Sequence, residues 1–286
     1  MNDNNRNKKL RVALIANTGI GNEVFKALLK CSSVVVDSVL TRKLEGEFPY
    51  FKTQELHQLV NAKGIKCFTN IDANTTYYEY LCMQNIDLIL VATYHQIIKK
   101  NLIELPKLGI INYHPSLLPK YRGPSPISWV ILNGEPKTGI TIHNLTIKVD
   151  EGSVLSQDSI NIESNDNLGS LFQKLSILSG KMTPVIIKKL LDQSIIPKEQ
   201  NNDESSYFSR PTNENIIYES MDFNSIYKIV KAFHPFPRAV FMKGRDLYKV
   251  NNYSFKYKDI DVSNPENEQI LSINNNPPLY LHLMRT

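Results

Sequence analysis

Cysteine is scarce: Cys31, Cys67 and Cys82 are the only three among 286 residues. Their odd number and their lack of metal-ligand spacing exclude a disulfide framework and a cysteine-built metal site. They read as reduced thiols in or beside apolar segments. Long apolar runs are missing as well. No window approaches eighteen consecutive apolar residues, so no segment has the length to cross a bilayer as a helix. The opening residues, MNDNNRNKKL, are polar and basic with no apolar stretch of signal-peptide kind behind them, and the expectation is a soluble, cytoplasmic protein. Internal repeats are absent, which sets solenoids and propellers aside. Acidic residues are in the minority, 28 against 33 basic, for a formal charge of +5. That balance favours anionic partners such as nucleotides, folates or RNA without choosing among them.

The length allows one large domain, or one medium and one small. Leu10 to Ala16 (LRVALIA) is a short β-rich run, followed by the loop NTGIGNE and by VFKALLK, whose apolar positions recur at helical spacing. Such a loop can offer backbone N–H groups and a helix N-terminus to a phosphate, which Asn17 and Thr18 would meet, or it can be a plain tight turn. Glycine is short here. Only Gly19 and Gly21 match the dinucleotide fingerprint, and the third glycine is missing. Val34 to Leu40 is a second strand, Thr53 to Ala62 a helix, Lys66 to Phe68 a brief third strand, Thr76 to Gln84 a helix and Ile86 to Ala92 a fourth strand. The connection RKLEGEFPYFK is long and polar, hence a surface loop. Strand and helix alternate, which calls for a doubly wound parallel sheet.

Further on, a helix starts near Ser125 or Pro126, and Trp129 within it is core or a ligand platform. Thr138 to Leu145 and Ser156 to Ile162 are strands. Asn167 to Gln193 is amphipathic and interrupted near Gly180 and Pro184, as one kinked helix or two. The composition divides the chain into a flexible tail over residues 1–9, a first domain over 10–196, a polar linker over 197–215 and a small β-rich domain over 216–286.

The stretch INYHPSLLPKYRGPSP, from Ile111 to Pro126, carries the chemistry. Ile110 and Ile111 form a short apolar burst that stops at Asn112. Ligands of open α/β sheets bind outside the carboxyl ends of the strands, so Asn112 and His114 are expected to emerge there. An imidazole can take or give a proton near neutral pH, an amide N–H suits an oxygen that gains charge, and a carboxylate at Asp150 could orient His114 or relay a proton. The set is equipped for acyl transfer without a covalent intermediate, with Ser116 as a nucleophile to be weighed. The bland alternative is a buried histidine with capping amides and carboxylates. Lys120 and Arg122, fixed between prolines and Gly123, belong to a solvated turn or meet a substrate phosphate.

The run INYHPSLLPKYRGPSPISWVILNGEPKTGITIH, followed by the Asp-Glu-Gly of KVDEG, resembles the signature of the formyltransferases that use 10-formyltetrahydrofolate, and the likeness extends more loosely over about residues 10 to 250. The resemblance implies a Rossmann-like α/β parallel-sheet formyltransferase domain with a smaller β-rich C-terminal domain, and an enzyme without a metal. It assigns Asn112, His114 and Asp150 as the catalytic set, with the oxyanion against Asn112 and a protonated His114. It sets the folate against Gln96, Ile97, Ile98, Ile111 and Val149. His95 occupies a place where relatives acting on nucleotide sugars can carry a basic residue, which would meet a pyrophosphate.

Within the resemblance, the order from Ile216 onward counts against relatives that stop after one domain. RKLEGEFPYFK is neither strongly basic nor glycine-rich, unlike the insertion of methionyl-tRNA formyltransferases. SYFSRPTNENI followed by AFHPFP is similar to the junction of formyltransferases acting on nucleotide-linked amino sugars, although Pro211 and Asn213 depart from their Arg-Thr-Pro order after Arg210, and Arg238 stands where glycine is often found. The implied partner is a nucleotide-linked amino sugar, with no membrane and no nucleic acid, and a homodimer is left open. The alternatives are a methionyl-tRNA formyltransferase and a non-catalytic folate or nucleotide module.

Overall fold

The computed structural model describes residues 9–256, 268–274 and 276–285; the tail expected over residues 1–9 lies, apart from Lys9, outside them. The described residues gather into two compact units, each discontinuous in sequence. One comprises Met1–Gly123, Lys137–Asn161 and Phe172–Tyr207; the other comprises Pro124–Pro136, Ile162–Leu171 and Phe208–Thr286.

The first unit is built on a seven-stranded sheet. Its strands are β1 Leu10–Ala16, β2 Val34–Thr41, β3 Lys66–Thr69, β4 Leu88–Ala92, β5 Ile110–His114, β6 Lys137–Asn144 and β7 Val154–Asn161, in the order β3-β2-β1-β4-β5-β6-β7. The first five in that order are parallel. All of β4 and nearly all of β1 are buried, as apolar runs covered on both faces require. The remaining edge departs from the parallel expectation: β6 runs antiparallel to β5, and β7 antiparallel to β6. An antiparallel return needs no crossover helix, and residues 145–153 make it as a loop.

Helices α1 Ile20–Lys30, α2 Leu56–Asn61, α3 Thr76–Cys82, α4 Lys100–Ile103 and most of α6 Leu168–Leu191 belong to this unit. The last is one continuous helix despite Pro184. Gly180 does not interrupt it; it is the point of closest approach to α1, where a Cβ would meet Glu23 Cβ at 3.0 Å and Glu23 O at 3.2 Å. Proline at 184 gives up its bond to the carbonyl of residue 180, and the helix continues around that single loss. Strand order reverses between β1 and β4, which makes their carboxyl ends the switch point where such sheets bind ligands. The Asn17 amide latches the two ends together by donating to Thr93 O at 2.7 Å.

The second unit is β-rich, and beyond the expected residues 216–286 it takes in Pro124–Pro136, Ile162–Leu171 and residues 208–215. Its sheet has the order β11-β12-β10-β9-β8, from β8 Ile216–Tyr218, β9 Val240–Lys243, β10 Asp246–Ser254, β11 Glu268–Ile273 and β12 Leu279–Arg285. Helix α7, Phe223–Phe233, buries Ile226, Ile229, Val230 and Phe233, and Asp222 caps it by accepting the Ser225 N–H. Helix α5, Pro126–Leu132, packs against α7 in this unit. Trp129 lies at 4.7 Å from the Phe208 ring and donates its indole N–H to Ser209 O at 2.8 Å.

Candidate active site

Strand β5 does not stop at Asn112; it continues through His114. Side chains alternate along a strand, so Asn112 and His114 share one face while Ile111 and Tyr113 occupy the other. In the antiparallel register with β6, Asn112 stands opposite His143. Asn112 Nδ2 and His143 Nε2 are 3.1 Å apart, and His143 Nδ1 is 2.9 Å from Asn144 O. A carbonyl can only accept, so Nδ1 carries the proton. Nε2 is then the acceptor for one amide N–H of Asn112, and the second N–H is left for a ligand. His143 was not singled out from the sequence. Its one signal there is an imidazole inside an alternating buried strand, and its meaning depends on the register.

Asp150 reaches the same place on the loop between β6 and β7, which folds back over the sheet. Leu145 N–H donates to Ile110 O at 2.8 Å, and Asn144 Nδ2 to Ser153 Oγ at 2.8 Å. The fold-back is so close that a Cβ on Gly152 would lie 1.8 Å from Asn144 O, which only glycine tolerates. Asp150 itself has φ 53, in the left-handed region. Its Oδ2 is 3.6 Å from His114 Nδ1, its Oδ1 is 3.6 Å from His143 Nε2, and the Gly123 N–H donates to Oδ2 at 2.9 Å. Side-chain exposure is 13% for Asp150 and 6% for His114. His114 Nε2 is 2.8 Å from Tyr121 O and must donate to it, so Nδ1 is the nitrogen turned to Asp150.

These surroundings set the charges. Burial lowers the His114 pKa below its ordinary value, against the raising effect of Asp150 and the Tyr121 carbonyl, so the resting ring is neutral at pH 7. The protonated His114 expected from the sequence belongs to the tetrahedral intermediate, not to this resting form. Burial alone would raise the Asp150 pKa; the pull of His114, effective once that ring takes a proton, and the N–H that Gly123 donates to Oδ2 outweigh it and hold the carboxyl well below the usual range. A charged carboxylate thus faces a neutral imidazole lone pair, an arrangement that attracts a proton onto Nδ1.

The other expected residues divide into exposed and structural ones. Ile97 and Val149 are 77% and 48% exposed, whereas Ile98 and Ile111 are core, Ile111 on the face away from Asn112 and His114. Gln96 uses both ends of its amide on the backbone, accepting from Ala73 N and donating to Ile71 O. Thr18 is buried and its hydroxyl accepts the Leu56 N–H at 3.1 Å. Asn17 Oδ1 is buried without a hydrogen-bond partner at the switch point. His95 is exposed with its ring 4.6 Å from that of Tyr94, and Lys120 is exposed. Arg122 is not in a solvated turn: it is 6% exposed, and its guanidinium donates to Gln200 Oε1 and Asn202 Oδ1. Ser116 is wholly buried and donates to Lys120 O, which removes it as a nucleophile. Arg210 is exposed. Arg238 has φ 82, the backbone that suits the glycine expected there. The loop after β2 lies at the surface as expected, and its aromatic part is anchored there: Phe48, Tyr50 and Phe51 gather around Phe172 at 5.7, 5.0 and 5.9 Å between ring centres.

Residues 26–187 match the formyl transferase family. The chain is 40% identical over 172 residues to the bifunctional polymyxin resistance protein ArnA of Wigglesworthia glossinidia brevipalpis, covering 58% of this chain and 26% of that protein. It is 28% identical over 259 residues to the methionyl-tRNA formyltransferase of Mesoplasma florum, covering 89% of this chain and 82% of that one. Among solved structures, the N-formyltransferase from Helicobacter canadensis in complex with folinic acid and dTDP-3-aminofucose has the same fold, with a TM-score of 0.68 at 19% identity over 97% of this chain and 100% of that chain. With the family matched over more than half its length, this chain belongs to the formyl transferase family.

Proposed function

We propose that this protein transfers the formyl group of 10-formyltetrahydrofolate to the primary amine of a nucleotide-linked amino sugar, such as a dTDP- or UDP-4-amino-dideoxy sugar, for a surface glycan such as O-antigen. The observation that carries the reading is the meeting of an amide, an imidazole and a carboxylate from β5 and the loop after β6, with a charged Asp150 3.6 Å from the bare nitrogen of His114. Large apolar side chains held in the open, Ile97 after β4 and Ile147 and Val149 on the Asp150 loop, fit the flat apolar part of a folate better than they fit water.

In this mechanism, Asn112 donates its spare amide N–H to the formyl oxygen as the amine nitrogen attacks the formyl carbon and the C=O becomes C–O⁻. His114 Nδ1 takes the proton released by the amine, and Asp150 stabilises the imidazolium. As the C=O reforms and the bond to N10 breaks, His114 returns that proton to N10. The products are the formamide and tetrahydrofolate, and the site ends as it began.

A methionyl-tRNA formyltransferase is the second reading, supported by the long match to the Mesoplasma florum protein. The loop after β2 favours the sugar. Its aromatic half is packed on Phe172, and its Leu44 and Lys43 N–H groups are tied to Glu55 and Asn70, a poor design for a basic arm that wraps RNA. The test is to supply formyl-folate with dTDP- and UDP-linked amino sugars and with methionyl-tRNA, and to seek by mass spectrometry the product that has gained one formyl group. Formylation of the tRNA alone would overturn the first reading.

A further inference from the structure

We infer that Gln200 is a positioning residue for Asp150, holding the backbone on which the carboxylate is presented to His114. The inference rests on the formyl-transfer reading for its kinetic consequence, though not for its geometry. Gln200 Nε2 donates to Asp150 O and to Gly152 O, both at 2.8 Å, and its Oε1 accepts from Arg122 Nε at 3.1 Å and Nη2 at 2.9 Å. An amide group has two N–H donors and two acceptor sites, and this one uses all four. The two carbonyls it grips flank Glu151, in the stretch where the chain makes its left-handed turn at Asp150. A non-glycine residue in that conformation persists only where its surroundings hold it.

The grip is anchored from behind. Arg122 is a buried cation whose nearest carboxylate oxygen, on Glu151, is 3.8 Å away, so its charge acts chiefly on the Gln200 and Asn202 amides. A charged donor on Oε1 polarises the carboxamide and strengthens its N–H bonds to the loop. Gln200 is itself held in register: Lys198 and Val154 exchange both backbone hydrogen bonds at 2.9 and 2.7 Å, and the Arg122 N–H donates to Ser206 O. The same turn grips Asp150 directly through the Gly123 N–H. Backbone and side chain of two adjacent residues, Arg122 and Gly123, thus converge on Asp150 by separate routes.

The test is Gln200→Glu, which keeps the size and the partnership with Arg122 but loses both donors to the loop, with Gln200→Ala as the variant that loses the whole amide. In both, kcat should fall about 10- to 100-fold, a part of the roughly 10²- to 10⁴-fold that acid-base catalysis contributes, with KM values within about threefold of the parent. The second readout needs no substrate: titration of His114 in ¹⁵N-histidine-labelled protein, assigned with His114→Asn. The groups facing that ring are Asp150, His143 and the Tyr121 carbonyl. A slackened Asp150 withdraws the influence that raises the His114 pKa, so the ring should titrate at lower pH in both variants. An unchanged His114 titration would overturn the inference, whether or not activity falls. A lowered titration in a protein that formylates no amine would support the brace while the formyl-transfer reading fails.

Discussion

His143 stands directly opposite Asn112 across the β5–β6 pair and receives one of its amide N–H groups at 3.1 Å. The bond decides which way the carboxamide faces, because His143 Nδ1 is committed to the Asn144 carbonyl and leaves only Nε2 to accept. His143→Ala should therefore lower kcat about 10- to 100-fold, less than the loss of an oxyanion donor altogether, with KM little changed. Steady-state kinetics on the formyl acceptor decide this. A parental kcat would mean that Asn112 keeps its orientation without the ring.

In the proposed mechanism the imidazole of His114 carries the proton. His114→Ala should cut turnover on the order of 10²- to 10⁴-fold. Far-UV circular dichroism should be unchanged, since the ring contributes one bond to Tyr121 O. Turnover within tenfold of the parent would refute the assignment.

Arg122 separates a brace from a phosphate ligand. Its guanidinium is buried and bonded to Gln200 and Asn202, so Arg122→Leu should destabilise the fold by about 1–3 kcal/mol through the acceptors left unpaired. Chemical denaturation measures this. A substrate-phosphate role would instead raise KM at constant stability, the outcome expected only of an exposed cation such as Lys120.

Acid should weaken the fold in a defined window. Burial first, then Arg238, lowers the His234 pKa to about 4, from an ordinary value near 6.5. Between those values the unfolded chain binds a proton that the native ring refuses, so stability is fully present above pH 6.5 and is lost as pH falls to about 4. At about 1.4 kcal/mol per tenfold in proton affinity, the loss from this ring is at most roughly 3–4 kcal/mol. His114, also lowered by burial, adds in the same direction. Urea melts at pH 7, 5.5 and 4 test this, and His234→Gln should flatten the dependence.

The sequence by itself determined most of the local elements and named the side chains to weigh as reacting groups. β1, read as Leu10 to Ala16 from its apolar run, has those bounds in the structure, because a strand buried on both faces leaves an unbroken apolar signature. Asn112, His114 and Asp150 could be proposed together because the chemistry of each is local to its side chain and the motif is long; their meeting is what the structure adds. β11 was not legible, since EQILSI carries a charge and an amide at its start and no strong alternation.

Only the tertiary structure decided the rest. The antiparallel β5–β6 register turned an unremarked His143 into the partner of Asn112, and a one-residue slip would have sent that ring to the other face. Within residues 197–215, which composition reads as a linker, the part from Lys198 to Tyr207 bonds along Arg122 and the Asp150 loop. Polarity in a sequence records that a group needs hydrogen bonds; whether water or another part of the chain supplies them is fixed only when the chain folds.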